Sequence, residues 1–295
     1  MKRILMALVL SLAAVSLQAQ DALPFTRIDR NPVTSAFAGA GSASIGNMAW
    51  SAFSNASVLP FFDGKLDAAV SYQNWAPEMS KTMHANAGVA YKVAPNLGVS
   101  VAYALQKGTA LESFHPADQV VALGLAYGLG EKLALGVNGR FASQKLTEST
   151  KYSGISVDAF VAFQPVPAFR LTAGVSTLGT AVTGSTGESF AQPLSAKAAA
   201  DWCVRFADSF GLEMLADADY YLRGEYGASL GAQLDWNDMV FLRGGYRYAS
   251  EACVIPGHIG LGAGLKFAGF RLDVSWLTGS LILKNTICAG LGYSF

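Results

Sequence analysis

Between Asn96 and Gln106 the chain reads NLGVSVAYALQ, in which Leu97, Val99, Val101, Tyr103 and Leu105 alternate with Gly98, Ser100, Ala102, Ala104 and Gln106. A period of two marks a strand whose faces meet different surroundings. The same alternation sets Leu66, Val70 and Tyr72 against Asp67, Ser71 and Gln73, and Ile155, Val157, Val161 and Phe163 against Ser156, Asp158 and Gln164. It recurs late, with Phe270, Leu272, Val274 and Trp276 opposing Arg271, Asp273 and Ser275. The pattern predicts fourteen strands: 65–75, 82–93, 96–106, 118–128, 131–143, 153–164, 168–178, 194–206, 209–221, 225–236, 239–249, 257–267, 269–277 and 284–295. Most have the roughly 9 to 11 residues with which a tilted strand crosses a bilayer.

The connections sort by parity. Every second one is tight (APN, GLGEK, PVPA, ADS, WND, AG), whereas the others are generally longer, among them 107–117, 143–152, 178–193 and 249–257. Only LRGE, Leu222 to Glu225, is short on the long side. An even strand count with turns at one end and loops at the other predicts an all-β fold, a transmembrane antiparallel β-barrel of the bacterial outer membrane. A soluble sandwich has no reason to sort its loops this way. Closure also pairs every N–H and C=O of a strand in the lipid layer.

The apolar set must then face lipid. The lumen receives Asp67, His84, Asn86, Arg140, Asp158, Arg170, Lys197, Asp201, Arg205, Glu213, Asp217, Asp219, Asp235, Arg243, Arg247, Arg271 and Asp273. Both signs are present, so ion pairs can tie the interior together without making an ion path. Arg140, Asp158, Arg205, Asp217, Arg243 and Arg247 are the polar lumen set expected to matter most. Tyr72, Tyr91, Tyr103, Tyr127, Trp202, Trp236, Trp276 and Tyr293 fall near strand ends on the lipid parity, as interfacial girdles do.

Composition agrees: 52% of residues are apolar and 14% charged, yet no apolar run of about 18 residues follows the N-terminus. Residues 1–19 read as a signal peptide, with Lys2 and Arg3, an apolar stretch from Ile4 to Leu17, and Leu17-Gln18-Ala19 as the cleavage site. Removing Lys2 and Arg3 from 21 basic residues leaves 19 against 21 acidic, no excess to hold a nucleic acid. Cys203, Cys253 and Cys288 are odd in number and widely spaced, which suits neither a disulfide framework nor a metal site.

Residues 20–64 do not alternate. They hold a helix start at Asn31-Pro32, small residues from Ala36 to Ser44, and an apolar cluster from Met48 to Leu59. Too small and Gly-rich to fold alone, this segment is expected as a short helical plug in or against the barrel of residues 65–295, burying Phe37, Met48, Trp50, Phe53, Phe61 and Phe62.

The stretch AFAGAGSASIGNMAWSAFSNASVL resembles the N-terminal segment of the FadL-like outer-membrane barrel superfamily, and within it the PorV/PorQ-like branch of Bacteroidota. Gly39 and Gly41 supply its small-residue element, and Phe53 with Asn55 its aromatic-Asn element; Ala56 stands where the family pattern has Pro. The stretch from Phe241 to Leu277 resembles the closing strands of that family. The branch resemblance implies an accessory barrel in type IX secretion, binding secretion-system or surface proteins. The superfamily resemblance implies the alternative, uptake of hydrophobic small molecules past a movable plug.

Outer-membrane barrels can be hydrolases, but His84, His115 and His258 have no nucleophile elbow to partner, and GLGAGLKF lies in a strand with no helix after it. The chain is therefore expected to be no enzyme and to hold no cofactor or metal, and its glycines there to ease curvature or close packing. The last strand, NTICAGLGYSF, puts Ile287, Leu291, Tyr293 and Phe295 toward lipid. Tyr293 and Phe295 resemble the signal read by the barrel-assembly machinery, with both chain ends expected on the periplasmic side.

Overall fold

The computed structural model describes residues 23–79, 82–108, 116–185, 187 and 189–295. The signal peptide expected at 1–19 and His115 lie outside the described residues. The strands are β1 (Leu66–Trp75), β2 (Thr82–Ala94), β3 (Leu97–Lys107), β4 (Ala117–Gly128), β5 (Leu133–Lys145), β6 (Lys151–Val166), β7 (Phe169–Gly179), β8 (Val182–Gly184), β9 (Ser189–Phe190), β10 (Ser195–Ala207), β11 (Phe210–Tyr221), β12 (Tyr226–Trp236), β13 (Val240–Ala249), β14 (His258–Phe267), β15 (Phe270–Thr278) and β16 (Thr286–Ser294). All but β8 and β9 close into one antiparallel fourteen-stranded barrel. Strand β7 pairs with β10 across the longest loop, and β16 returns to β1 from Asp67↔Ser294 to Asn74↔Ile287.

The alternation reads out as two surfaces. Val70, Leu123, Leu125, Val137, Phe163, Leu230, Leu242, Leu261 and Leu291 stand exposed on the outside, while Asp67, Asn138, Asp158, Ser229, Asp273 and Ser275 are buried within. Such an apolar exterior costs too much in water and is stable against hydrocarbon, so the architecture is that of an outer-membrane barrel. Among the described residues no helix is long and apolar enough to cross a membrane; the strands do the crossing.

Barrel strands begin and end within two residues of the positions the period predicts. Two irregularities escape it. The loop after β7 folds a small hairpin, β8 on β9, which also pairs with β6. Its strands, of three and two residues, are too short to show a period. Between Val157 and Ala159 the β6–β7 register shifts, so Ser176 and Thr177 together oppose Asp158. Thr177 takes φ 64, a left-handed conformation costly for a β-branched side chain. The Asp158 carboxylate holds it there, accepting the Thr177 N–H at 2.7 Å and the Ser176 hydroxyl at 2.9 Å.

The first and last described residues lie at different ends of the barrel. Leu23, the first described residue, is buried with Trp75, Ala104, Ala142, Leu277 and Leu283, all near the long-loop end. Phe295 bonds Lys65 and Leu66 at the short-turn end. The segment threads the length of the barrel between them. Loop parity records where strands turn and is blind to the route of a segment that is not a strand.

Candidate functional site: a plugged lumen

Residues 23–64 fill the interior, and their local chemistry sets their path. Asn31 caps helix α1 (Pro32–Ala36), its side chain accepting the Val33 N–H at 3.0 Å, with Pro32 at the first helical position. Ala38 (φ 54) and Gly39 (φ 92) end the helix in the left-handed region, the Gly39 N–H donating to Thr34 O at 2.8 Å. Beyond Gly41, at φ 128, the chain is irregular apart from two 3-10 turns, Met48–Trp50 and Ala56–Phe61.

Irregular backbone at membrane depth survives only where protein satisfies it, and here inward wall side chains do so. Asp217 accepts the N–H groups of Gly41 (2.8 Å) and Ser42 (3.1 Å), and Glu213 the Ser44 hydroxyl (2.7 Å). Arg170 donates to Ala43 O at 2.7 Å while paired with Asp201 at 2.7 Å. Ser229 donates to Ala38 O at 2.8 Å. Arg271 donates to Gly46 O at 3.0 Å and pairs with Asp67 at 2.6 Å; Asp67 also accepts the Ala49 N–H at 3.0 Å. Many of the lumen charges thus bind the plug's main chain.

Asn138 makes the densest set. Its side chain accepts the Ala56 N–H at 3.1 Å and donates to Ser51 O (2.7 Å) and Ala52 O (2.8 Å), fully buried. Sequence reading passed it over, although its inward parity between Gly136 and Arg140 was visible. Asn55 braces the plug internally, accepting the Ser57 N–H and hydroxyl and donating to Ser42 O. Around the second turn Met48, Val58, Leu59 and Phe61 pack on Ala90, Ala126, Ala134 and Ala162 of the wall.

Wall glycines make room. A Cβ on Gly245 would lie 2.3 Å from the Phe37 carbonyl carbon, and one on Gly136 would lie 2.2 Å from the Ser57 nitrogen. Gly260 and Gly262, in the GLGAGLKF stretch, face Ser35 and Ala36 of α1 in the same manner.

The other predicted lumen residues fall as follows. Arg140 pairs with Asp158 and donates to Phe53 O at 2.8 Å, joining the β7 bulge to the plug. Arg243 pairs with Asp273 at 2.6 Å, and Arg247 grips both Asp219 oxygens at 3.0 Å. Arg205 is a correction: it stands exposed beside Asp238 in the β12–β13 turn and does not line the buried interior. The tight β10–β11 turn puts it at the rim, where water solvates the pair. Tyr293 and Phe295 pack in file with Phe270, centroids 4.8 Å and 6.0 Å apart, on the outer face.

At the long-loop end the plug leaves a cavity of about 170 Å³, lined on one part by Trp50, Phe53, Trp75, Ile255 and Leu277 and on another by Arg27, Arg30, Lys197, Asp217 and Asp219. Arg27 is fixed by Glu225 at 2.8 Å and by the Tyr221 ring, 3.9 Å from its guanidinium. Arg30 donates to the carbonyls of Ile28 at 2.9 Å and Phe25 at 2.8 Å. Elsewhere Asp201, Cys203 and Glu213 bring possible ligand atoms within 4.8 Å of one another. Their carboxylates are already taken by Arg170, Ser44 and Gln233. Cys203, Cys253 and Cys288 are all free thiols.

No known family profile matches the chain, and no curated protein matches it in sequence. Solved structures do match in fold. A monoaromatic hydrocarbon channel, CymD, superposes with a TM-score of 0.64 at 14% identity, over 90% of this chain and 97% of that one. The toluene transporter TbuX of Ralstonia pickettii gives 0.59 at 12%, over 90% and 97%. A FadL homologue of Pseudomonas aeruginosa gives 0.53 at 12%, over 90% and 95%. The fold is therefore shared with these outer-membrane barrels.

Proposed function

We propose that this barrel is a passive channel of the bacterial outer membrane for small lipophilic molecules, gated by its plug and catalysing no reaction. The cavity at the long-loop end carries the reading. At about 170 Å³ it is comparable to the roughly 150 Å³ engineered cavity that holds benzene, and Trp50, Phe53 and Trp75 give a ring something to stack on. Neighbours of the same fold are a monoaromatic hydrocarbon channel and a toluene transporter. The accessory role in type IX secretion expected from the PorV/PorQ-like resemblance draws no comparable support: the described long-side loops offer one small hairpin, β8 with β9. Of the described histidines, His84 faces the Thr82 hydroxyl and His258 the Pro256 carbonyl.

The test is uptake of toluene into proteoliposomes holding the purified barrel. Ser54 is exposed although it sits inside the barrel, lining the cavity, so Ser54→Trp should fill the space and cut uptake about tenfold or more. Equal uptake by wild type and by empty liposomes would sink the proposal.

A further inference from the structure

Besides its aromatic side, the cavity at the long-loop end has a polar side with unused hydrogen-bonding capacity. Among the described residues Lys197 of β10 makes no hydrogen bond or ion pair, although its charge acts on Asp217. Its register partner on β11, Asp219, has both oxygens taken by Arg247. Asp217 stands two residues before Asp219 on the same face, and each of its oxygens accepts one N–H, from Gly41 and from Ser42. A carboxylate oxygen has two lone pairs, so each keeps one to spare. Cross-strand diagonals lie about 7–8 Å apart. An ammonium without a partner and a carboxylate with spare lone pairs thus line one cavity without meeting.

Two further polar atoms of the lining are unpaired. Trp50 Nε1 and Ser35 Oγ make no hydrogen bond, on residues only 3% and 2% exposed. Leaving a buried donor unmatched is unfavourable, so a ligand that matches one gains by it. A net charge on that ligand is disfavoured in either sign. Arg27, Arg30 and Arg247 share the lining with Asp29, Asp217 and Asp219, so an anion and a cation both meet like charge there. A neutral group that accepts and donates at once meets neither objection, and a hydroxyl is the smallest such group. At about 170 Å³ the space takes one small ring and has no room for a long acyl chain.

We infer, on the basis of the channel reading above, that this cavity selects a ring-hydroxylated aromatic over the bare hydrocarbon, with Lys197 as the residue that sets the preference. The ring lies against Trp50, Phe53 and Trp75, and the hydroxyl accepts from Lys197 and donates to Asp217. A bare hydrocarbon gains the ring contacts alone and leaves both polar groups as they were. In a purely apolar site the order is the reverse, because a hydroxyl taken out of water without a partner is penalised. A preference for the phenol is therefore diagnostic of the polar side.

The test is isothermal titration calorimetry of the full barrel in detergent, blanked against empty micelles, with toluene, 4-methylphenol and 4-methylbenzoate at pH 7. The three probes share a ring and a methyl group and differ in the head. Wild type should bind 4-methylphenol about tenfold more tightly than toluene, and 4-methylbenzoate more weakly than 4-methylphenol. Lys197→Met should bring the phenol-over-toluene ratio close to one, and Lys197→Arg should keep it. Toluene bound by wild type as tightly as 4-methylphenol overturns the inference and leaves the channel reading standing, whatever becomes of the variants. Tightest binding of 4-methylbenzoate overturns it in favour of an anion. A folded, heat-modifiable Lys197→Met barrel with the wild-type ratio refutes Lys197 as the donor, and binding of none of the three overturns the inference together with the channel reading.

Discussion

Residues 31–47 reach the wall largely through hydrogen bonds to charged side chains, Asp217, Glu213, Arg170 and Arg271, whereas residues 48–62 reach it through apolar clusters and Asn138. The first kind of contact is exchangeable with water, each bond carrying a net of about 1 kcal/mol. The second is not: Val58, Leu59 and Phe61 would each lose about 1.5–3 kcal/mol on exposure. One segment therefore has a part held mainly by releasable polar contacts and a part anchored by apolar burial, and a passage that opens by moving the plug should open from the first part.

The sharpest way to break this comparison is to wedge each half in turn. Gly136→Leu drives a side chain into the Ser57 backbone, which the anchored half cannot yield; a loss of roughly 3 kcal/mol or more and little heat-modifiable barrel are expected. Gly245→Leu makes an equal clash with Phe37, yet here the barrel should fold and show raised ion conductance in planar bilayers. A Gly245→Leu barrel as closed as wild type would show that both halves are anchored.

Asn138→Leu removes three buried hydrogen bonds and should cost about 2–4 kcal/mol, read as a lower denaturation midpoint of the folded band. Asp217→Ala takes two from the releasable half and should cost about 1–3 kcal/mol. Its mark is faster hydrogen exchange at the Gly41 and Ser42 amides with the barrel midpoint unmoved. Arg27→Gln loses one ion pair and one ring contact, about 1 kcal/mol; toluene uptake should rise slightly with no change in barrel stability.

The wall was legible in the sequence because a strand between lipid and lumen must alternate, and Val70 beside Ser71 or Leu123 beside Ala122 shows it residue by residue. The plug was legible only as an interruption. Its path depends on tertiary partners such as Asn138, Asp217 and Gly245, and a glycine or an asparagine in a strand does not declare what it faces. Arg205 shows the limit of parity itself: alternation gives the face, and the distance to the turn decides whether that face is lumen or rim. The Asp158–Thr177 bulge was hidden because the apolar pattern on either side continues across it.

The seam between β1 and β16 has a consequence for the order of assembly. The Phe295 carbonyl accepts the N–H groups of both Lys65 (2.6 Å) and Leu66 (3.0 Å), so the wall closes at the point where the plug joins it. That pairing spans the whole run of strands, the longest loop to be ordered and by its entropy the last contact made. Plug protection from protease and the seam should accordingly appear with one rate constant during refolding; a plug protected well after the seam has formed would separate the two. In kinetic terms closure and occlusion are a single step, and a chain that closed with its plug outside would have to reopen the whole cylinder to correct the error.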